Sequence, residues 1–403
     1  MKIFKNIILI FLTLIVDPSL AKVEKEANKT RTEKSPKNYN NDSQNRVFLS
    51  FKEGINNQYV RDSLIAQDPS EIIFKTAKTF PDHTQIAIAI INNGKVNYFG
   101  IDKKRDTILW INNHESVFEI GSISKVFTST LLANLVIEGK VKLNDNVNDY
   151  LKIPLKNEAK ISFMSLANHT AGLPRLPTNF DLKKANAENP YKGYMEKELK
   201  EYLTKHLELS NKGAYQYSNF GVGLLGYTLS ETENITYENL LKNKIFSKYG
   251  MQNSTTDINK IKGDLVKGLN KRGRETSNWE FSVLAGAGAI FSTVEDLSHF
   301  AISQFDYSNK ELKLTRQKTF EINDNMDIGL GWHILKPRLT SAPQSDILWY
   351  WHNGGTGGYS SSMVIDENSK NGIIILSNVS AFNRKMGNID QLCFELMKTL
   401  EKE

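Results

Sequence analysis

Cysteine is nearly absent from the sequence: Cys393 is the single cysteine in 403 residues. The chain therefore has no intramolecular disulfide, and a lone cysteine among apolar neighbours is more often a small core residue than a nucleophile. Histidine is also sparse, and its seven positions include no His-x-x-x-His pair. Because zinc sites need clustered Cys and His ligands at short spacings, we expect no metal site.

Positive charges outnumber negative charges only slightly. The formal net charge is +6, and half of it lies in residues 1–45. The sequence contains no clustered basic helix and no basic patch interleaved with aromatic residues. Since those features mark a surface that binds polyanions, nucleic acid is not an expected partner.

Long apolar runs are missing as well. The run from Ile7 to Val16 has ten residues, about half of the ~20 that cross a bilayer as a helix. Lys2 and Lys5 precede it, and Ser19-Leu20-Ala21 places small residues where a signal peptidase reads. We therefore predict a cleaved signal peptide at residues 1–21, with an uncleaved anchor as the alternative. The mature protein would be periplasmic or secreted, with no stable membrane span.

Residues 22–45 are polar and charged, with almost no large apolar side chains. Such a segment cannot bury enough surface to offset the entropy of ordering it. We predict a flexible tether there, followed by one domain over residues 46–403.

Strand signals lie towards both ends of that domain. Gln85 to Tyr98 is typical of a hairpin with its turn at Asn92-Asn93-Gly94, and a second hairpin is predicted between Ser362 and Ser377. A terminal helix is expected from about Asn383. The chain from about 145 to 300 is mostly helix and loop.

This order predicts an α/β fold. An antiparallel sheet, built from residues 75–120 and 325–400, would be flanked by helices, and a helical region at about 140–300 would be inserted between its two parts. The active site would then lie between the sheet and the helical region.

The first chemical motif is Ser122-Ile-Ser-Lys125, which precedes a predicted buried helix. Phe127, Leu131 and Leu135 recur at a spacing of four, and Gly139 ends the pattern. If Ser122 opens this helix, Lys125 lies one turn on and on the same face. A lysine whose pKa is lowered by burial can take the proton of a serine hydroxyl. Alone the motif is weak, because Ser-x-x-Lys also occurs by chance.

The second motif is Tyr217-Ser218-Asn219, before a glycine-rich stretch. A phenol can act as acid or base if its pKa is lowered, and an adjacent lysine ammonium would lower it. The Asn219 amide can both donate to and accept from a substrate amide. In isolation the motif also fits a plain turn before a helix.

The third motif is the run His352-Asn353-Gly354-Gly355 before a late strand. Glycines let a ligand approach the backbone closely, and their free N–H groups can stabilise an oxyanion. His352 supplies a titratable group. A simple glycine-rich turn is the alternative for this run.

Together, and in this order, the three motifs resemble the serine β-lactamase and penicillin-binding protein family, specifically its class C-like branch. That branch also contains D-Ala-D-Ala peptidases and β-lactamase-like esterases. Two further segments are similar to it, Leu166 to Pro174 and Ala285 to Leu297. The resemblance covers roughly residues 75 to 400.

The resemblance implies a role for each motif residue. Ser122 is the nucleophile that becomes acylated, Lys125 is its partner, and Tyr217 shuttles the proton to the leaving group. Asn219 would contact the substrate amide. Gly354 belongs to the substrate-binding run, and the backbone N–H groups of Ser122 and Gly355 would form the oxyanion hole. The implied reaction is acyl transfer to Ser122 followed by hydrolysis, without a cofactor.

Three alternatives for the substrate and activity stay open. The chain hydrolyses a β-lactam or a D-Ala-D-Ala-type stem peptide of peptidoglycan, or it is an esterase on the same scaffold, or it is a binding module that acylates and stalls. The intact Ser, Lys and Tyr argue against the last of these.

Two histidines need separate treatment. The family usually has lysine where this chain has His352, so we expect recognition of a substrate carboxylate to be weaker or dependent on pH. His169 could suggest a Ser-His triad, but it lies in the segment 166–174, and packing is the role we expect for it.

Overall fold

The computed structural model describes residues 68–180, 186, 188–337 and 347–401. The predicted signal peptide and tether lie outside the described residues. The helices and the strands are numbered here in chain order.

The centre of the fold is one antiparallel sheet of nine strands in the order β3-β2-β1-β11-β10-β9-β8-β7-β6. A two-stranded sheet pairs β4 with β5. The strands are β1 Gln85–Asn92, β2 Lys95–Lys104, β3 Thr107–Trp110, β4 Phe118–Glu119, β5 Phe291–Ser292, β6 Phe320–Asn323, β7 Met326–Ile328, β8 His333–Leu335, β9 Trp349–Gly355, β10 Ser360–Asp366 and β11 Asn371–Ser377.

Both faces of the central sheet are covered, because its middle strands are apolar on both sides. On β1, Ala87 and Ala89 belong to the larger hydrophobic core, whereas Ile86 and Ile88 belong to a second core on the other face. Successive side chains of a strand point to opposite faces. The unbroken apolar run therefore supplies two cores at once.

Helices occupy both sides of the sheet. α1 and α9 cover the face of the second core, and the others lie with the larger core or around it. The helices are α1 Pro69–Ala77, α2 Ser124–Ile137, α3 Phe163–Ala167, α4 Glu196–Glu201, α5 Asn219–Glu233, α6 Tyr237–Leu241, α7 Val294–Ser303, α8 Lys310–Arg316 and α9 Gly387–Thr399. Within the part of the chain described, none is long and apolar enough to span a membrane.

The predicted α/β architecture, with a sheet from both ends of the domain, is confirmed. Both hairpins form: the turn at Asn93 and Gly94 has positive φ at both residues, as a tight two-residue hairpin turn requires. Two boundaries were wrong. The last helix begins at Gly387 rather than near 383, and the sheet also includes β6, which lies before residue 325.

Candidate active site

Ser122 lies on a single 3₁₀ turn, Gly121–Ile123, that leads directly into α2. β9 runs against this turn: a Cβ on Gly121 would lie 2.5 Å from Gly355 N, and one on Gly354 would lie 2.0 Å from Ile120 O. Gly121 has φ +52°, in the region that favours glycine. The turn and the strand can therefore touch only because both carry glycine at the contact.

Lys125 is fully buried one turn after Ser122. Its Nζ lies 2.9 Å from Ser122 Oγ and donates to Ala287 O at 2.7 Å. Burial holds the pKa of Lys125 well below its usual value, and the positive charge of Arg175 adds to this. An amine at this distance can accept the proton of the serine hydroxyl once it is neutral. This is the predicted general base.

Tyr217 is the second predicted catalytic residue brought to Ser122. Lys125 Nζ lies 5.0 Å from its ring centroid, and the phenol hydrogen-bonds to Ser122. Burial raises the pKa of Tyr217 to about 12, although the bond to Ser122 and the charge of Arg175 oppose the rise. The expectation that a lysine ammonium lowers this pKa was wrong, because desolvation dominates the shift. The phenol therefore stays protonated and can donate.

His169 hydrogen-bonds to the backbone on both sides of Tyr217. Its carbonyl accepts from Gln216 N at 2.8 Å, and its Nδ1 accepts from Ser218 N at 3.2 Å. Its ring centroid lies 4.5 Å from that of Tyr217. Burial, followed by nearby positive groups, lowers the pKa of His169, so Nδ1 remains an acceptor. The expected packing role is therefore incomplete, because His169 also hydrogen-bonds to the catalytic segment.

Asn219 begins α5, next to the tyrosine. Its Nδ2 donates to Tyr191 Oη at 3.0 Å, whereas its buried Oδ1 has no hydrogen-bond partner among the described residues. A buried acceptor without a partner is costly. The Oδ1 is therefore suited to accept from a substrate amide N–H, as the resemblance implies.

His352 lies on β9 with its side chain almost fully buried, 2% exposed. Its ring centroid is 5.3 Å from that of His333 and 6.4 Å from that of Tyr217. Burial, with His333 and Lys125 adding to it, holds the pKa of His352 well below its usual value. His352 is therefore neutral across the physiological range, so it does not make carboxylate recognition depend on pH. Of the two expectations for His352, weaker recognition of a substrate carboxylate stays a prediction.

Gly355 N lies beside the turn that carries Ser122, at the end of β9. The predicted oxyanion hole pairs this N–H with the N–H of Ser122. The close approach of the two segments is what that pairing needs, and the oxyanion hole itself stays a prediction.

Arg175 is a site residue that sequence reasoning missed. Its Cζ lies 5.3 Å from the ring centroid of Tyr217, on a segment that directly follows the recognised stretch 166–174. No spacing or periodicity marks it. The one available signal was its position immediately after Leu173-Pro174.

Away from this site, His114, Glu115 and Glu295 bring three donor atoms within 4.8 Å of one another. Spacing along the chain could not reveal this group, because Glu295 comes from α7. Imidazole and carboxylate donors are of the kinds that divalent transition metals take, but exposed acidic groups also cluster without a metal.

Comparison with known proteins agrees with this geometry. The family model described as "Beta-lactamase" matches residues 75–393. A beta-lactamase of Pseudomonas fluorescens is 26% identical over 282 residues, 67% of this chain and 75% of that protein. The D-alanyl-D-alanine-carboxypeptidase/endopeptidase AmpH of Escherichia coli K12 is 26% identical over 308 residues, covering 70% and 77%.

The fold has a solved counterpart. The crystal structure of a beta-lactamase/D-alanine carboxypeptidase from Pseudomonas syringae superposes with a TM-score of 0.67 at 20% identity. The match covers 83% of this chain and 99% of that one. At this identity the likeness establishes the fold alone.

Proposed function

This chain belongs to the beta-lactamase family, and on that premise we propose that it is a serine hydrolase of β-lactam or D-Ala-D-Ala-type amide bonds. The observation that carries the proposal is the buried Lys125 amine 2.9 Å from Ser122 Oγ. A serine hydroxyl is a poor nucleophile until a base takes its proton. Burial favours such a base, because it lowers the pKa of Lys125 well below its usual value.

The reaction follows from these positions. Ser122 Oγ attacks the substrate carbonyl while its proton passes to Lys125 Nζ. The backbone N–H groups at residues 122 and 355 stabilise the negative oxygen. The phenol of Tyr217 donates its proton to the leaving nitrogen and is reprotonated from Lys125. Water then attacks the acyl-enzyme on Ser122 and releases the acid.

The relatives support both substrate classes, because one is named a beta-lactamase and another a D-alanyl-D-alanine-carboxypeptidase/endopeptidase. The two activities share acylation and differ in how fast water removes the acyl group. Rapid deacylation gives a β-lactamase, and slow deacylation gives a peptidase that penicillin inhibits.

An esterase is the second candidate. The observation that favours it is the neutral, buried His352, which offers no fixed charge to a substrate carboxylate. The binding of an ester that has no carboxylate would not be weakened by the missing fixed charge at residue 352. Multiple turnover of any of these substrates would exclude a binding module that acylates and stalls.

The direct test is intact mass against time after mixing the protein with a penicillin. We expect a mass increase equal to the drug on the wild type and none on Ser122→Ala, because the hydroxyl is the attacking group. A short-lived adduct with loss of the drug identifies a β-lactamase, and a persistent adduct identifies a peptidase-like protein. No adduct and no drug loss on the wild type would refute penicillin recognition and leave the esterase ahead.

Export to the periplasm or the medium is part of the proposal and rests on residues 1–21. N-terminal sequencing of the mature protein tests it. A mature chain that begins at Lys22 supports export, and one that retains Met1 contradicts it.

A further inference from the structure

We propose that Arg175 is the anion-binding residue of this site and that the preferred substrates carry a carboxylate that pairs with its guanidinium. This inference rests on the proposed function and specifies its substrate class. No sequence motif used above includes this residue.

The backbone around Arg175 is fixed to the start of α5. Ser218 Oγ donates to Pro174 O at 2.6 Å, and Phe220 N donates to Arg175 O at 3.0 Å. Residues 174 and 175 are therefore tied to both sides of Asn219. The position of the guanidinium is thereby coupled to that of the catalytic tyrosine, over whose ring it lies at 5.3 Å.

The guanidinium has no counter-ion in the described part of the chain. Its Nε is buried and has no hydrogen-bond partner there. Arg316 shows what a structural arginine in this protein looks like, because its Nε donates to Glu367 at 3.1 Å and its other nitrogens bond to Glu367 and Gln304. A half-buried cation without a partner is costly, and an arriving carboxylate removes that cost.

The other basic side chains at the site do not compete for an anion. The pKa values of Lys125, His169, His333 and His352 are all lowered, in each case mainly by burial. The lowered pKa values favour the neutral form of all four groups, whereas an arginine guanidinium keeps its charge in proteins. Arg175 therefore carries a fixed positive charge beside Tyr217.

A carboxylate is the anion that fits best. The planar guanidinium presents parallel N–H groups that match the two oxygens of a carboxylate. β-Lactams and peptides ending in D-alanine both carry a free carboxylate beside the bond that is cleaved. A substrate held by Arg175 would reach Ser122 from the side of the cleft that carries Tyr217.

The test measures binding without turnover. On the Ser122→Ala background, benzylpenicillin and its methyl ester are titrated by calorimetry, so that the two ligands differ only in the carboxylate charge. We expect the free acid to bind more tightly than the ester. Adding Arg175→Gln should weaken the acid at least about tenfold and the ester less than about twofold, and Arg175→Lys should retain part of the preference.

Lys95→Gln is the matched control, because it removes one exposed positive charge from the β1–β2 turn. That turn lies at the other end of the sheet from Gly355, as the pairing of Ile86 with Ser377 and of Ser377 with Ser360 shows. The acid-to-ester ratio should not change in this variant. Thermal unfolding of each variant confirms that it is folded.

Equal binding of acid and ester, binding of neither, or an equal loss of both in Arg175→Gln would overturn the inference. A different result concerns the proposed function alone. If Ser122→Ala binds the acid through Arg175 but the wild type forms no adduct, the anion site stands and the acylation mechanism fails.

Discussion

At the scale of the residue, the pKa of Lys125 decides how the site works. Two nearby groups depend on it: Ser122 needs a neutral amine within reach, and Tyr217 loses the ammonium that would have lowered its pKa. Desolvation is the largest cause of the pKa shift of Lys125 and also of that of Tyr217. We therefore propose a resting state with two protonated oxygens and a lysine amine whose lowered pKa favours its neutral form.

A pH profile tests this resting state. An amine is unprotonated above its pKa, so a lowered pKa extends the active form to lower pH. We expect the acylation rate of the wild type to stay level as pH falls through the ordinary lysine pKa of ~10.4, because the pKa of Lys125 lies well below it. Lys125→Arg should slow acylation by about 10²–10⁴-fold at every pH, because arginine cannot give up its proton. A rate that falls at the ordinary lysine pKa of ~10.4 would contradict a lowered pKa at Lys125.

His169 provides a second test at this scale. Its backbone has φ +62° and its Nδ1 accepts from Ser218 N. Asparagine tolerates that backbone region and can offer Oδ1 at the same place, whereas alanine can do neither. We expect acylation to fall at least about tenfold in His169→Ala and to recover largely in His169→Asn.

The control for His169 separates position from stability. Both variants lose the ring that lies against Tyr217. A similar fall in the acylation rate of both would therefore assign the effect to the loss of packing. Thermal midpoints and the dependence of acylation on penicillin concentration show whether the maximal rate or the binding has changed. A loss confined to the maximal rate supports a positioning role.

Sequence reasoning selected three side chains that the structure brings together, Ser122, Lys125 and Tyr217, and their roles stay predictions; it failed for properties that the environment decides. Ser122, Lys125 and Tyr217 are recognisable because few residue types can serve as nucleophile, base and proton donor. The direction of the shift for Tyr217 depends on burial and on a neutral neighbour, which no local sequence shows. Arg175 carries no pattern because its role arises from where the fold places it.

At the scale of the element, the contact between β9 and the turn before α2 holds the site together. Ser361 Oγ on β10 also donates to Ile120 O, at 2.8 Å. The strand that carries the third motif is thus packed and hydrogen-bonded through its neighbour to the residue before Gly121. Any widening of this contact would move Gly355 N away from the nucleophile.

Gly354→Ala tests the contact. The new methyl group would meet Ile120 O at 2.0 Å and Ser361 Oγ at 2.5 Å. Since a backbone carbonyl cannot easily move, we expect a loss of about 1–3 kcal/mol in the free energy of unfolding and a larger loss of acylation. Gly193→Ala is the matched control, because nothing lies within 4 Å of its Cβ position. Unchanged acylation in Gly354→Ala would show that the contact does not position the site.

The elements were predictable in proportion to their length and pattern. α2 and the two hairpins have clear apolar patterns and turn signals, and they form where expected. β4 and β5 have two residues each, which is too short for any alternation to be visible. Their pairing joins residues 118 and 292, so it follows from the tertiary fold alone.

At the scale of the whole molecule, buried carboxyl groups link stability to pH. Burial raises the pKa of Glu119, behind the nucleophile turn, and that of Asp390, on α9, each to about 7. Both values exceed those of an unfolded chain, near 4. The folded state therefore holds these protons more tightly, and the stabilisation is lost as pH rises from about 4 to 7.

As pH rises from about 4 to 7, each of the two carboxyls lowers the free energy of unfolding by on the order of 4 kcal/mol at most, whereas the buried bases with lowered pKa values raise it. The difference in urea stability between Glu119→Gln and the wild type therefore isolates the carboxyl. Glu119→Gln should remove the decline that this carboxyl contributes, because the amide oxygen can still accept from Asn278 Nδ2 and Trp279 N without carrying a charge. The variant should gain stability relative to the wild type as pH rises. Parallel profiles for the two proteins would contradict a raised pKa at Glu119.

The order of the strands was beyond sequence reasoning. Strand signals at both ends of the domain predicted one antiparallel sheet, but many orders satisfy that pattern. In the structure β1 lies between β2 and β11, so the earliest strand pairs with the latest. That choice depends on how two separate cores are filled, which is a property of the whole chain.

This pairing has a consequence for the protein during its synthesis. Ser122 and Lys125 leave the ribosome more than two hundred residues before the strand that carries Gly355. Until β9 to β11 emerge, β1 lacks its partner β11, and the turn that carries Ser122 lacks the strand β9 against which it packs. Pairings between distant parts of a chain form slowly, so the nascent polypeptide carries its reactive residues for most of its translation without a working catalyst.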